Sequence, residues 1–261
     1  MYHRAKKSLG QNFLKSAKAL SDIIIAGEIN KNDIILEIGP GKGALTEKLL
    51  EHAGKVIAIE KDNDLVIHLK ERFKKEIGND RFELIEGDVL DFDPKILKKP
   101  YKIIANIPYN ITGAILKQFL SDIHQPERMV LLVQKEVAER IVARNGNESI
   151  LSLSVKAYGT PKIISKVPAR YFNPAPKVDS AIIAITNIAR ANFKNTQEEQ
   201  LFFTIVKAGF THKRKMLLSN LKESLPYIEW NTLFEKNNIP KIIRAEKVPL
   251  ATWIKYVKDT I

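Results

Sequence analysis

The 261-residue chain contains no cysteine. That excludes disulfides, zinc–thiolate sites and thiol nucleophiles, and it fits a reducing compartment. Long apolar runs are missing as well: no stretch approaches the roughly 18 apolar residues of a membrane span. Ser21 and Asp22 interrupt the apolar stretch behind the basic N-terminus, so no signal-peptide core is expected. The five histidines, His3, His52, His68, His124 and His212, fall at no metal-ligand spacing, and no metal is expected. A cytoplasmic monomer without a membrane partner is the expectation. Acidic residues are outnumbered, 30 against 42 Lys and Arg, which leaves a formal net charge of +12 and points to a polyanionic partner. Hydrophobic residues make up 44%, an ordinary globular share, and the length allows one large domain and one small one.

What is present alternates. Asp33 to Ile38, Lys55 to Ile59, Arg81 to Ile85, Lys102 to Ala105 and Arg128 to Val133 read as short apolar strands. Helical periodicity marks Ser16 to Ile29, Ala44 to Leu50, Asp64 to Lys75, Thr112 to Leu120 and Lys135 to Arg144. Strands alternating with helices predict a parallel sheet wound on both faces. Residues 149–158 fit helix or strand, and Lys162 to Val167 with Ser180 to Thr186 read as strands closing the far edge. Near residues 187–192 the character changes, and from Thr196 the periodicity is helical, which predicts domains at 1–188 and 189–261. The basic knot His212-Lys213-Arg214-Lys215 is expected at a helix start, where positive charge opposes the dipole and a phosphate contact explains it better.

One stretch organises the rest. Asn106-Ile107-Pro108-Tyr109 follows the apolar run Tyr101 to Ala105, at a strand's carboxyl end, where open α/β sheets bind ligands. Asn106 offers an accepting amide oxygen, and Pro108 holds Ile107 extended so that its carbonyl can point outward. Tyr109 adds a flat face. Two acceptors beside an aromatic plate suit the exocyclic amino group of a flat heterocycle. A strand-to-helix turn with Asn as cap and Tyr as rim packing is the plain alternative.

Upstream, Gly39-Pro40-Gly41-Lys42-Gly43 follows the first strand and lets a ligand approach backbone N–H groups at a helix N-terminus. Lys42 is followed by glycine rather than Ser or Thr, so the P-loop reading fails. Gly39, Gly41 and Ala44 also match the dinucleotide pattern, which keeps an NAD-dependent oxidoreductase as a rival. Glu60 ends the second strand, where an acid chelates ribose hydroxyls, and Asp88 ends the third, within reach of an adenine edge. A helix cap at Glu60 and an Asx turn at Asp88 are their plain alternatives.

Glu37-Ile38-Gly39-Pro40-Gly41, Glu60, Gly87-Asp88 and Asn106 to Tyr109 resemble the successive motifs of class I S-adenosylmethionine methyltransferases of the adenine-N6 branch. Lys7 to Leu14 and Phe172 to Ser180 resemble, more particularly, the small-subunit rRNA adenine dimethyltransferase family. The macrolide-resistance methyltransferases of large-subunit rRNA are cousins that share the Gln11-Asn12-Phe13-Leu14 and Asn106 to Tyr109 blocks. Gly10 and Val178-Asp179-Ser180-Ala181 fit the small-subunit branch better. The resemblance implies an α/β fold: a Rossmann-like methyltransferase domain with a mostly parallel seven-stranded sheet and a small all-α C-terminal domain. It implies methylation of adenosine N6, twice over and on two adjacent adenosines, during assembly of the small ribosomal subunit.

Carried over by position, the resemblance implies that S-adenosylmethionine meets Gln11, Asn12, Leu14, Glu37, Gly39, Gly41, Glu60, Asp88 and Asn106. Gly39 would lie by its methionine part, Glu60 by its ribose and Asp88 by its adenine. Asn106, Ile107, Pro108 and Tyr109 form the expected catalytic set, with Phe172 stacking a flipped adenine beside Tyr109. The Asn106 amide oxygen and the Ile107 carbonyl are expected to accept the two N6 hydrogens. Arg4, Lys6, Lys7, Lys213, Arg214 and Lys215 are the expected RNA contacts. A non-catalytic RNA-binding role in assembly or transcription is the remaining alternative.

Overall fold

In the computed structural model the described residues are Lys6, 9–97, 100–143 and 146–261. Arg4 and Lys7 of the expected RNA contacts lie outside them. The chain divides into two compact units. The first runs through Ala138 and resumes over Thr160–Ile188; the second comprises Glu139–Gly159 and Ala189–Ile261. The expected cut after residue 188 therefore has a second crossing, because the helical stretch before Gly159 packs with the C-terminal helices.

The first unit opens with β1 (Phe13–Leu14) and α1 (Ala17–Gly27), whose N-cap Ser16 accepts the Ala19 N–H. The alternation follows: β2 (Ile34–Ile38), α2 (Ala44–His52), β3 (Lys55–Glu60), α3 (Asn63–Arg72), α4 (Lys74–Gly78) and β4 (Phe82–Glu86). The single helix expected over residues 64–75 is broken at Phe73. Its buried ring turns inward to meet Phe82 edge-on at 5.2 Å. Next come β5 (Tyr101–Asn106), α5 (Thr112–Ser121), β6 (Arg128–Gln134) and α6 (Lys135–Val142). After α7 (Ile150–Lys156), which belongs to the second unit, come β7 (Thr160–Val167), β8 (Phe172–Asn173) and β9 (Ser180–Thr186).

Seven strands form one sheet in the order β4-β3-β2-β5-β6-β9-β7. The first five pair in parallel, while β9 runs antiparallel to both β6 and β7. Strands buried on both faces need continuous apolar runs, and Ile103 to Ala105 and Met129 to Val133 are wholly buried. Each Ile, Leu, Val or Met among them contributes on the order of 1.5–3 kcal/mol. The strand order reverses between β2 and β5, so the loops after these two neighbours flank one crevice. A separate two-stranded ribbon pairs β1 with β8, Phe13 opposite Asn173 and Leu14 opposite Phe172.

The second unit is helical. Residues 149–158 resolve as α7, started by a capping box between Ser149 and Ser152. α8 (Thr196–Gly209), α9 (Leu217–Ser224), α10 (Trp230–Lys236) and α11 (Leu250–Thr260) complete it. Its interior is aromatic: Phe202, Trp230, Phe234, Trp253 and Tyr256 are fully buried. The two indole N–H groups donate to Leu225 O and Val248 O, which lets both rings enter an apolar core.

Candidate active site

A cleft of about 360 Å³ opens at the carboxyl ends of β2, β3 and β5. Its floor is the glycine loop. Gly39 N–H still donates to Ile59 O, and Gly43 N–H closes a turn on Pro40 O. Gly41 has φ +60°, and a Cβ there would come within 3.0 Å of the Phe13 ring. Gly43, at φ +81°, is the N-cap of α2, and a Cβ there would meet the Phe73 ring at 2.6 Å. Any side chain at either position would force the loop away from the rings packed behind it.

Carboxylates line one side. Glu37 is 1% exposed, accepts the Thr46 hydroxyl at 2.7 Å, and is pushed up to about 8 by burial and by Glu60 nearby. Glu60 accepts the N–H groups of Gly41 at 3.1 Å and Asp62 at 2.9 Å. Burial raises its pKa, and those backbone donors partly offset the rise. Asp88 is more open. It accepts Leu90 N–H at 3.0 Å, an Asx turn, and pairs with Lys61 at 2.7 Å; both contacts hold it below the usual carboxylate range.

The opposite side carries amide and ring. Asn106 ends β5, and its Nδ2 donates to Asn12 O at 3.1 Å. That bond directs the amide oxygen away from the arm. Ile107, Pro108 and Tyr109 follow along the wall. The Tyr109 hydroxyl meets the buried Ser180 Oγ at 2.6 Å, which fixes the ring from its far end. A cleft with a glycine floor, carboxylates at two strand ends and an oriented Asn beside a Tyr fits a nucleoside-bearing ligand facing a second flat heterocycle.

The family model described as ribosomal RNA adenine dimethylase matches residues 2–260. The chain belongs to that family. A ribosomal RNA small subunit methyltransferase A from Dehalococcoides mccartyi (strain CBDB1) is 44% identical over 97% of this chain and 87% of its own. One from a Nostoc strain is 40% identical over 97% of this chain and 96% of its own. Among solved structures, a dimethyladenosine transferase from Plasmodium falciparum matches with TM-score 0.79 and 30% identity, over 95% of this chain and 96% of that one. The 23S rRNA methyltransferase ErmE matches with TM-score 0.78 and 25% identity, over 95% and 99%.

Most of the residues that the family resemblance singles out converge. Gln11, Asn12, Leu14, Glu37, Gly39, Gly41, Glu60, Asp88, Asn106, Ile107, Pro108 and Tyr109 all line the cleft. Phe172 does not. It is 4% exposed, within the core cluster that includes Leu14, Leu20 and Ile182. Successive strand residues face opposite sides, so it is Asn173 that reaches the cleft. Phe172 is placed behind the cleft lining. Gln11 lines the cleft with its amide turned to Asp62 at 2.7 Å. Lys6, expected on RNA, pairs with Asp62 at 2.6 Å and Asp64 at 2.8 Å.

The basic knot lies directly before α9, at the helix start expected of it. α9 starts at Leu217, and His212 to Lys215 form an exposed turn after the end of α8. The same turn follows the C-terminus of α8, where positive charge is favourable, so the knot stands between opposite ends of two helix dipoles. The turn is held by Asn220, whose Nδ2 donates to Gly209 O at 2.8 Å and His212 O at 3.1 Å. Lys215 pairs with Glu223 at 3.0 Å, while Lys213 and Arg214 are exposed. Reading the sequence missed Asp62 and Ser180. Asp62 had a signal, an Asp directly before a predicted helix, which is an N-cap pattern.

Proposed function

We propose that this chain transfers methyl groups from S-adenosylmethionine to the N6 of adenosines in small-subunit rRNA, carrying each to dimethyladenosine. The observation that carries the reading is the Asn106 amide in the cleft wall, whose Nδ2 is committed to Asn12 O and leaves its oxygen as the acceptor, beside Ile107 and Tyr109. Membership of the adenine dimethylase family along residues 2–260 supports it. The chemistry of the donor set fits the methyl donor as well. A glycine floor admits a ligand's close approach, Glu60 at its strand end suits ribose hydroxyls, and Asp88 suits an amino group. When bound, that donor supplies a methyl group on a sulfonium sulfur.

The protein's part is to present the nitrogen. Adenine N6 is a poor nucleophile because its lone pair is delocalised into the ring. The Asn106 amide oxygen and the Ile107 carbonyl accept its two hydrogens, which favours a pyramidal nitrogen and stabilises the positive charge that develops on it. Holding the nitrogen at a fixed place supplies much of the remaining acceleration. No base is needed, because the cationic product nitrogen loses its proton to water. Unstacking the adenine costs a few kcal/mol, and stacking on Tyr109 offsets part of it. Lys213 and Arg214 hold phosphates, and the activity resides in the cytoplasm with the ribosomal subunits.

Incubation with undermethylated small and large subunits and radiolabelled S-adenosylmethionine tests this. Label is expected on adenosine N6 of the small-subunit rRNA. Label confined to large-subunit rRNA would favour the second reading that the likeness to ErmE supports. No label in either contradicts both.

A further inference from the structure

The segment before β1 is fastened to the cleft wall by one carboxylate that nucleoside binding does not itself require. Asp62 is 2% exposed. Its Oδ1 accepts Lys6 Nζ at 2.6 Å, and its Oδ2 accepts Gln11 Nε2 at 2.7 Å. Gln11 Oε1 in turn accepts the Lys6 N–H at 2.8 Å, so arm and carboxylate form a closed ring of bonds. On its other side Asp62 caps α3 through the Asp64 N–H at 3.1 Å and donates its own N–H to Glu60 at 2.9 Å. The next residue along the arm from Gln11 is Asn12, whose carbonyl receives the Asn106 amide.

We propose that Asp62 is a positioning residue for methyl transfer: by holding Gln11 it places the Asn12 carbonyl, and that carbonyl decides which end of the Asn106 amide faces the target adenine. This rests on the methyltransferase reading above. The two ends of an Asn side chain have nearly the same shape and opposite hydrogen-bonding character. If Asn12 O moves away, the amide can present its NH2 to the N6 amino group, donor against donor. Residues 10–12 lie in no strand or helix, so side-chain bonds must set their place before the ribbon of β1 and β8 begins. A buried carboxylate bonded to a cation and an amide is a strong tie, since breaking it leaves the charge desolvated and unpaired.

The test reverses the polarity of one bond in the full-length protein. Gln11→Glu sets carboxylate against carboxylate. It is expected to lower kcat on undermethylated small subunits by about tenfold, equivalent to about 1.4 kcal/mol, with KM for the subunit little changed. The double variant Gln11→Glu/Asp62→Asn restores a donor opposite an acceptor and is expected to recover most of that loss. The Asn106 side-chain amide in nitrogen-15 NMR gives a readout independent of activity. Its protons should exchange faster with water in Gln11→Glu and return toward the wild-type rate in the double variant.

A Gln11→Glu protein with wild-type kcat and amide exchange overturns the proposal. So does a double variant no better than the single one. Should Gln11→Glu fail to fold, Asp62→Ala is read by the same amide signal, and unchanged exchange there is equally fatal. A wild-type protein that methylates nothing overturns the methyltransferase reading instead, and the NMR result still decides whether Asp62 orients Asn106.

Discussion

The two units bury their carboxylates in different settings. In the first, Glu37, Glu60 and Asp62 are buried around one cleft, and each is held by specific donors: a Thr hydroxyl, two backbone N–H groups, and a Lys with a Gln amide. In the second, Glu198 and Glu199 are buried as well, but they are held by Lys194 N–H, Tyr158 and Arg190 beside an aromatic interior, while Lys213 and Arg214 stand in solvent on a turn. Desolvated polar groups are costly unless their partners are fixed, so a protein concentrates them where geometry must be maintained. Exposed cations need no such geometry to attract a polyanion. Under the proposed function, the cleft of the first unit makes the bonds and the exposed turn of the second attracts the polyanion.

The sharpest way to break that division is at Asn106. Asn106→Ala should slow single-turnover methylation of undermethylated small subunits by about 10²–10³-fold, while S-adenosylhomocysteine binding measured by calorimetry changes far less. Loss of binding in step with rate would move Asn106 from chemistry to ligand retention. Next in size, Glu60→Ala should weaken S-adenosylhomocysteine binding by about 10–100-fold and leave the affinity for small subunits nearly unaltered. Lys213→Glu with Arg214→Glu should do the reverse. Small-subunit affinity should fall about tenfold at fixed salt, and the slope of its logarithm against log salt should shrink by about one to two, with S-adenosylhomocysteine binding unchanged.

The smallest effect is on stability. The Glu37 carboxyl ionises near 4.5 in an unfolded chain and holds its proton up to about 8 when folded. Between those values the folded state binds more protons, so its stability falls as pH rises through that window. Glu37→Gln removes this contribution. The melting temperature of the ligand-free wild type should therefore fall by several degrees relative to the variant between pH 5 and pH 8, read by thermal unfolding in matched buffers. Parallel curves would mean that Glu37 is ionised in the folded protein.

What was legible in the sequence follows the same line. The apolar runs of β2, β3, β5 and β6 are buried on both faces and could be read as parallel strands without tertiary knowledge. The positions of Glu60, Asp88 and Asn106 followed, because strand ends are where such sheets gather their ligands. Phe172 was named on the family resemblance, and two-residue β8 has no alternation long enough to show which face its ring takes. The break at Phe73 was hidden because helical periodicity continues through it, and the ring's packing against Phe82 and Gly43 is tertiary. The ties of Lys6 and Gln11 to Asp62 join residues more than fifty positions apart, a link no local pattern carries.

The claim at the centre is that an amide oxygen and the adjacent main-chain carbonyl hold the amino group to be methylated. A crystal structure of the protein with S-adenosylhomocysteine and adenosine tests it most directly. The account predicts the adenine N6 at about 2.7–3.2 Å from both Asn106 Oδ1 and the Ile107 carbonyl, with the ring against Tyr109. An adenine whose amino group points to solvent, or to Asn106 Nδ2, would contradict it.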